Sequence, residues 1–143
     1  MGRLDLRKSL KAVLFLVKLK MNTTRIFDTS KFLQPTEEEP IRSVVTESKD
    51  AVVVAWYIKS GQEIPPHIHP NGQDTWTILT GKGEYYLDDV RTTKPIVAGD
   101  IAVAHTGCVH GVLNNGDEPL FFISIVSPVD AGYQPLIETH ELT

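Results

Sequence analysis

The pattern of hydrophobic and polar positions changes at about residue 21. Before it, apolar residues recur every three or four positions, which predicts an amphipathic helix. After it, short runs rich in β-branched and aromatic residues alternate with Gly, Pro and Asn clusters, and no long helical periodicity is left. Such runs predict strands and turns. The body of the chain is therefore predicted to be all-β, either a sandwich or a barrel.

The apolar runs place six strands along the body. The predicted strands are 51–58, 75–80, 84–87, 101–104, 110–113 and 120–127. Gly81-Lys82-Gly83 predicts the turn of a hairpin between the second and third strands. Turn-forming residues also mark 95–100 and 114–117 as connections.

Composition limits the class of protein. The chain has 143 residues, which suits one domain with a sizeable core. Its 41% hydrophobic content excludes a disordered acidic chain. A single cysteine, Cys108, excludes an internal disulfide framework and a four-thiolate zinc site. No apolar run approaches the ~20 residues that a membrane span needs. We expect a single domain over 21–143.

Charge is distributed unevenly along the chain. Residues 1–20 carry six basic residues and one acidic residue, a net charge of +5, and the other 123 residues carry −9. The basic segment is predicted to be an N-terminal extension, helical or disordered, or to precede a natural start at Met21. A membrane-surface helix is the less favoured alternative. The acidic body argues against nucleic-acid binding. The free cysteine and the lack of an export signal predict a cytoplasmic protein.

His67 and His69 are the first candidates for chemistry. On a strand, residues two apart send their side chains to the same face, where both imidazoles can meet one cation. Neutral imidazole is the commonest metal ligand in proteins. The same spacing also occurs on hydrated strand faces, so it does not by itself establish a metal site.

Asp74 is the candidate carboxylate for this site. Asp74, Trp76 and Ile78 fall on one face of a strand and form a predicted interior. Gln73 falls on the other face with two threonines. We therefore expect Asp74 to point inward, as a fourth metal ligand or a general base, or else to cap the end of a turn. Gln73 is the alternative ligand.

His110 begins a later strand and is expected to reach the first pair across the sheets. His105 is predicted to be a turn residue, with supporting or extra ligation as alternatives. Cys108 is predicted to fill a small space in the core rather than to react or bind metal. The segment 128–136 is left open between a lid, a dimer arm and a terminal loop.

Two segments resemble the paired motifs of the cupin superfamily. The first is Gly61, five residues, His67-Ile68-His69, four residues, Asp74, six residues and Gly81. The second is Gly99, five residues, His105-Thr106-Gly107, two residues, His110, three residues and Asn114. Seventeen residues separate the two motifs, a gap within the range usual for a compact member of the family. Asp74 stands where glutamate is usual in the first motif, and His105 stands where proline is usual in the second.

The resemblance implies a double-stranded jelly-roll β-barrel, with its core at about 25–130 and a metal ion held inside. The implied ligands are His67, His69, His110 and the acidic position, Asp74. Members commonly bind iron, manganese, nickel, zinc or copper, and they often form homodimers. Because its side chain is shorter than that of glutamate, Asp74 is expected either to reach the ion less well or to leave one coordination position to water.

Three imidazoles and one carboxylate suit a catalytic metal. The leading hypothesis is a metal-dependent enzyme acting on a small organic molecule, with dioxygenase chemistry ahead of isomerase or lyase chemistry. That order rests on the family resemblance. The alternative is a non-catalytic cupin that binds or senses a small ligand.

Overall fold

A computed structural model describes residues 5–21 and 24–136 of the chain. One helix, α1, precedes ten described strands, β1 to β10, with a short 3-10 helix at Thr29–Phe32 between α1 and β1. The elements are α1 Leu6–Met21, β1 Ser43–Glu47, β2 Val52–Ile58, β3 Glu63–Ile68, β4 Gln73–Thr80, β5 Lys82–Tyr86, β6 Thr93–Val97, β7 Ile101–Ala104, β8 His110–Leu113, β9 Leu120–Ser127 and β10 Gln134–Pro135.

The described strands form two five-stranded sheets. The first sheet has the order β1-β2-β9-β4-β7 and the second has the order β10-β3-β8-β5-β6. All strand pairs are antiparallel. The prediction of an all-β, jelly-roll fold is confirmed. The predicted limits of β7, β8 and β9 agree with the structure.

The predicted strands agree least with the structure at the edges of the sheets. The expected turn at 95–100 begins inside β6, which pairs only with β5 among the described strands. Pro95 lacks an N–H group, and an edge strand tolerates this because one side of it needs no ladder bonds. The pattern also misses β1 and β10, which are edge strands of different sheets, and the inner strand β3, whose Pro65-Pro66 pair is untypical of a strand. Short edge strands carry too few inward positions to give a clear alternation.

Two groups of buried side chains fill the space between the sheets. The larger group, which we call the apolar end, consists of Ile58, Ile64, Trp76, Ile78, Tyr85, Ile96, Val112, Leu120 and Phe122. Within it the rings of Trp76 and Phe122 stack with their centroids 4.2 Å apart. The smaller group consists of Val52, Val54, Val126 and Ala131. Trp56 is half-buried and packs against both groups, so the two are continuous.

Glycine at position 111 allows β3 and β8 to approach closely. A Cβ atom at Gly111 would lie 2.5 Å from the carbonyl oxygen of Ile64 and 2.9 Å from that of Pro65. The same part of β3 contains a register shift between Ile64 and His67. After this shift His67 pairs directly with His110 on β8. The tight backbone contact therefore positions two of the candidate ligands.

Helix α1 exposes apolar side chains as well as basic ones. Leu10 is 63% exposed and Phe15 is 62% exposed. The helix lies in the segment that the sequence predicts to be an extension, helical or disordered. No helix among the described residues is long and apolar enough to cross a membrane.

Candidate metal centre

Four predicted ligands meet between the two sheets. His67 belongs to β3, His69 follows that strand directly, and His110 begins β8 in the same sheet. Asp74 comes from β4 in the opposite sheet. One candidate ligand atom from each residue lies within 4.8 Å of the others. The structure thus brings together Asp74 and His110, which belong to different motifs and lie 36 positions apart in the sequence.

Backbone carbonyl groups fix the orientation of all three imidazoles. The Nδ1 atoms of His67, His69 and His110 lie 2.8, 2.6 and 3.1 Å from carbonyl oxygens, which belong to Pro65, Gly132 and Cys108 respectively. A carbonyl oxygen only accepts hydrogen bonds, so each Nδ1 carries the hydrogen. The Nε2 atom of each neutral ring therefore presents a lone pair. This second hydrogen bond is the usual device that orients a metal-binding histidine.

Asp74 faces two of these lone pairs. Its Oδ2 atom lies 3.0 Å from Nε2 of His110 and 3.4 Å from Nε2 of His69. Its Oδ1 atom accepts a hydrogen bond of 2.5 Å from the hydroxyl of Ser124 on β9. With neutral rings, the carboxylate and both Nε2 atoms are acceptors, and they repel one another unless a cation lies among them. The donor set therefore fits a metal ion, and without one a proton on a ring beside Asp74 would relieve the same repulsion.

The pKa shifts favour His69 over His67 as the ring that takes up a proton. Burial lowers the pKa of His69, but hydrogen bonds to Asp74 and to the Gly132 carbonyl raise it by more, so the net direction is upward. Burial and the neighbouring His110 lower the pKa of His67 from 6.5 to about 4. Burial raises the pKa of Asp74, yet hydrogen bonds from His110, His69 and Ser124 outweigh it and hold the pKa well below its ordinary value. Asp74 is therefore a carboxylate throughout the physiological range.

The remaining candidates from the sequence lie outside the cluster. Gln73 is on the opposite face of β4, where its amide donates to Thr75 at 3.2 Å and its oxygen lies 3.2 Å from His105. His105 is exposed beside a turn. The prediction that Cys108 fills the core is wrong, because its side chain is exposed. Cys108 supports the cluster only through its backbone carbonyl, which orients His110.

A cavity of about 620 Å³ opens beside the candidate ligands. Its walls include the smaller buried group of the core, together with Trp56 and Trp76. Three further wall residues were missed by sequence reasoning: Arg42, Ser124 and Tyr133. The alternation along β9 could have identified Ser124 as an inward residue. Arg42 and Tyr133 lie outside the regular strands, where no local periodicity indicates direction.

Comparisons with known proteins relate this chain to one family of β-barrel domains. Residues 54–126 match the model of the family described as Cupin domain. A crystal structure of an uncharacterised conserved protein from Klebsiella pneumoniae, with a double-stranded β-helix domain, is 46% identical to this chain and superposes with a TM-score of 0.77. That match covers 80% of this chain and 99% of the other.

Two more distant proteins extend the relationship. Germin-like protein 5-1 from rice, Oryza sativa subsp. japonica, is 30% identical over 80 residues, which cover 52% of this chain. The match spans only 35% of the rice protein's length. An RmlC-like cupin protein from Desulfovibrio desulfuricans is 24% identical, with a TM-score of 0.66 and coverage of 73% and 97% of the two chains. At that identity the likeness concerns the fold alone.

Proposed function

We propose, from the premise that this chain belongs to the cupin domain family, that it is a metal-dependent enzyme acting on a small organic molecule. We propose His67, His69, Asp74 and His110 as ligands of one divalent transition-metal ion. The observation that carries the proposal is the convergence of three Nε2 lone pairs and one carboxylate within 4.8 Å.

The donor types limit the choice of ion. Imidazole suits zinc, copper, iron and nickel, and the added carboxylate also accommodates manganese. One thiol is present in the chain, on Cys108, and it is exposed away from the buried cluster, so a thiolate-rich site is not supported. These five ions are therefore the candidates to load and compare.

Asp74 suits the role of a ligand better than that of a base. Its lowered pKa keeps it ionised, and a carboxylate of low pKa is a weak acceptor for a substrate proton at neutral pH. The Ser124 hydroxyl holds Oδ1, which leaves Oδ2 directed at the imidazoles. We therefore favour ligation over general-base catalysis for Asp74.

The cavity supplies the space for a substrate. A volume of about 620 Å³ lies within the range of small-molecule sites. When bound, a divalent ion would supply Lewis-acid or redox chemistry at the wall of this cavity. The apolar residues around it exclude water from a bound molecule, and the imidazoles hold their lone pairs in place. We place dioxygenase chemistry ahead of isomerase or lyase chemistry, on the basis of the family resemblance.

Metal analysis is the first experiment. Untagged protein is purified, its metals are measured by mass spectrometry, and the apo form is titrated with each candidate ion. We expect one ion per chain in the wild type. His67→Ala and His110→Ala should lose this stoichiometry, while the matched control His105→Ala should retain it. A wild type that neither carries nor accepts metal refutes the proposal, and unchanged affinity in both variants refutes the ligand assignment.

Activity is the second experiment. Metal-loaded protein is screened for oxygen uptake with a panel of 1,3-diketones and flavonols, and for isomerisation or elimination in the absence of oxygen. Turnover that disappears in His110→Ala supports an enzyme. Ligand binding without turnover across the panel would instead support the non-catalytic binding or sensing protein.

A further inference from the structure

We propose that the cavity beside the metal centre binds a small acid with an apolar body and a single carboxylate, which Arg42 recognises. This inference names a ligand class for the proposed function and rests on it for the metal ion. It follows from three features of the cavity: its apolar walls, its unsatisfied donors and its charge.

The largely apolar walls of the cavity favour a ligand with an apolar body. Val52, Val54 and Val126 line one side of the cavity, and the rings of Trp56 and Tyr133 also contribute to its lining. Contact with such side chains removes apolar ligand surface from water, at about 25 cal/mol for each Å². A fully polar molecule would gain little from these walls. The ligand is therefore expected to be largely aliphatic or aromatic.

Two hydrogen-bond donors on the cavity wall lack an acceptor in the described part of the chain. The indole Nε1 of Trp76 is buried without a hydrogen-bond partner. Arg42 lines the same cavity and makes no hydrogen bond or ion pair among the described residues. Buried donors are nearly always paired in folded proteins, so an unpaired one indicates a missing partner. The buried indole N–H of Trp76 therefore indicates a ligand with an acceptor oxygen, and Arg42, which is exposed and lines the same cavity, is a cation available to a second oxygen of that ligand.

The charge of the cavity selects a monoanion. Arg42 contributes +1, while Asp74 and Asp130 contribute −1 each, which gives −1 in the metal-free cavity with neutral histidines. A divalent ion changes that sum to +1. A guanidinium group binds a carboxylate with two parallel hydrogen bonds, which a neutral amide cannot match. Arg42 also acts on the centre itself, since its charge is one of the smaller influences on the pKa of His69, after burial and the hydrogen bonds.

Matched ligands and matched variants test this proposal. Zinc-loaded protein is titrated calorimetrically with 3-phenylpropionate and with 3-phenylpropionamide, which share an apolar body and differ in charge. We expect the acid to bind about tenfold more tightly than the amide. Arg42→Gln should abolish this preference, and Arg42→Lys should retain part of it. The control Arg25→Gln makes the same change of charge at an exposed residue away from the cavity and should keep the full preference.

The zinc content of each sample separates this inference from the proposed function. If wild-type protein holds no zinc, the proposed function fails whatever the ligands do. If zinc is bound and Arg42→Gln keeps the preference for the acid, the proposed function stands and the inference on Arg42 is wrong. Loss of the preference in Arg25→Gln to the same extent would also overturn it, because the effect would then come from net charge alone.

Discussion

The same strands build two ends of the molecule with opposite chemistry. On β4, Asp74 is 4% exposed among the imidazoles, and two residues later Trp76 is 1% exposed in the apolar end. On β9, Ser124 faces the carboxylate of Asp74, whereas Phe122 stacks on Trp76. Two positions along the same strand thus separate the polar cluster from the apolar end. Both sets of side chains are buried to the same degree.

The two ends are therefore expected to contribute differently to the stability of the fold and to metal binding. Burial of apolar side chains at the apolar end lowers the free energy of the folded state directly. Burial of three imidazoles and a carboxylate costs free energy, which hydrogen bonds offset in part and a bound cation would offset further. Substitutions at the apolar end should therefore change stability, and those at the candidate metal centre should change metal affinity and the response to pH.

The largest expected effect comes from truncation at the apolar end. Phe122→Ala should lower the free energy of unfolding by about 3–5 kcal/mol, because Phe122 is fully buried and stacks on Trp76. Urea denaturation followed by tryptophan fluorescence measures this change. The control is Ile125→Ala on the same strand, whose side chain is 40% exposed. An equal loss in both variants would contradict the division between the two ends.

The pH response of the metal-free protein comes next. Burial holds His67 neutral with a pKa of about 4, whereas the unfolded chain takes up that proton near pH 6.5. The unfolded state therefore binds more protons between these values, and His67 withdraws roughly 3 kcal/mol of stability as pH falls from 6.5 to 4. Denaturation curves across this range compare wild type with His67→Gln. The free energy of unfolding should fall more steeply with decreasing pH in wild type than in His67→Gln, and this difference isolates the contribution of His67 from those of His69 and Asp74. An equal pH dependence in both proteins would refute the low pKa of His67.

Removing the hydroxyl behind Asp74 should have a moderate effect. Ser124→Ala deletes the donor to Oδ1 and frees the carboxylate to rotate away from the imidazoles. We expect metal affinity to fall about 10–100-fold, the usual effect of losing such a supporting hydrogen bond. The control is Ser127→Ala, whose hydroxyl bonds to the exposed backbone of Asp50. Competition with a chromogenic chelator measures both affinities, and equal values would show that Ser124 has no such role.

The smallest effect on stability is expected on the outer face of the first sheet. Ile101 is 66% exposed there, so Ile101→Thr should change the free energy of unfolding of one chain by less than about 0.5 kcal/mol. Light scattering on the same samples tests the homodimer that the family resemblance implies. A mass of one chain at all concentrations would contradict the homodimer, and a large loss of stability would show that the face is covered.

The central strands other than β3 were predictable from sequence for a physical reason. A strand buried on one face must alternate inward and outward residues, so Asp74 and Trp76 show their direction in the sequence itself. The histidine motifs likewise carry their spacing along the chain, and the structure brings these residues together. Edge strands lack this signal, and Pro95 even suggests a turn where β6 continues.

The cavity could not be predicted in the same way. Arg42 precedes β1 and Tyr133 follows β9, so their approach to His69 depends on how distant connections fold over the strands. Neither residue belongs to an alternating strand pattern that would predict the direction of its side chain. The prediction for Cys108 failed for a related reason, because a small apolar residue in a turn carries no information about its exposure. Ligand selectivity was therefore the part of the function that required the structure.

The connection after β9 gives two tasks to adjacent residues. Gly132 accepts the hydrogen bond from His69, and the ring of the next residue, Tyr133, lies over the imidazole of His67 with centroids 5.2 Å apart. A change at Tyr133 that enlarges the cavity is therefore expected to disturb also the neighbouring backbone carbonyl that orients His69. If the proposed metal and ligand sites are correct, a relative that adapts to a larger ligand through this connection is expected to change its metal affinity in the same step, unless a second substitution restores the carbonyl to its place.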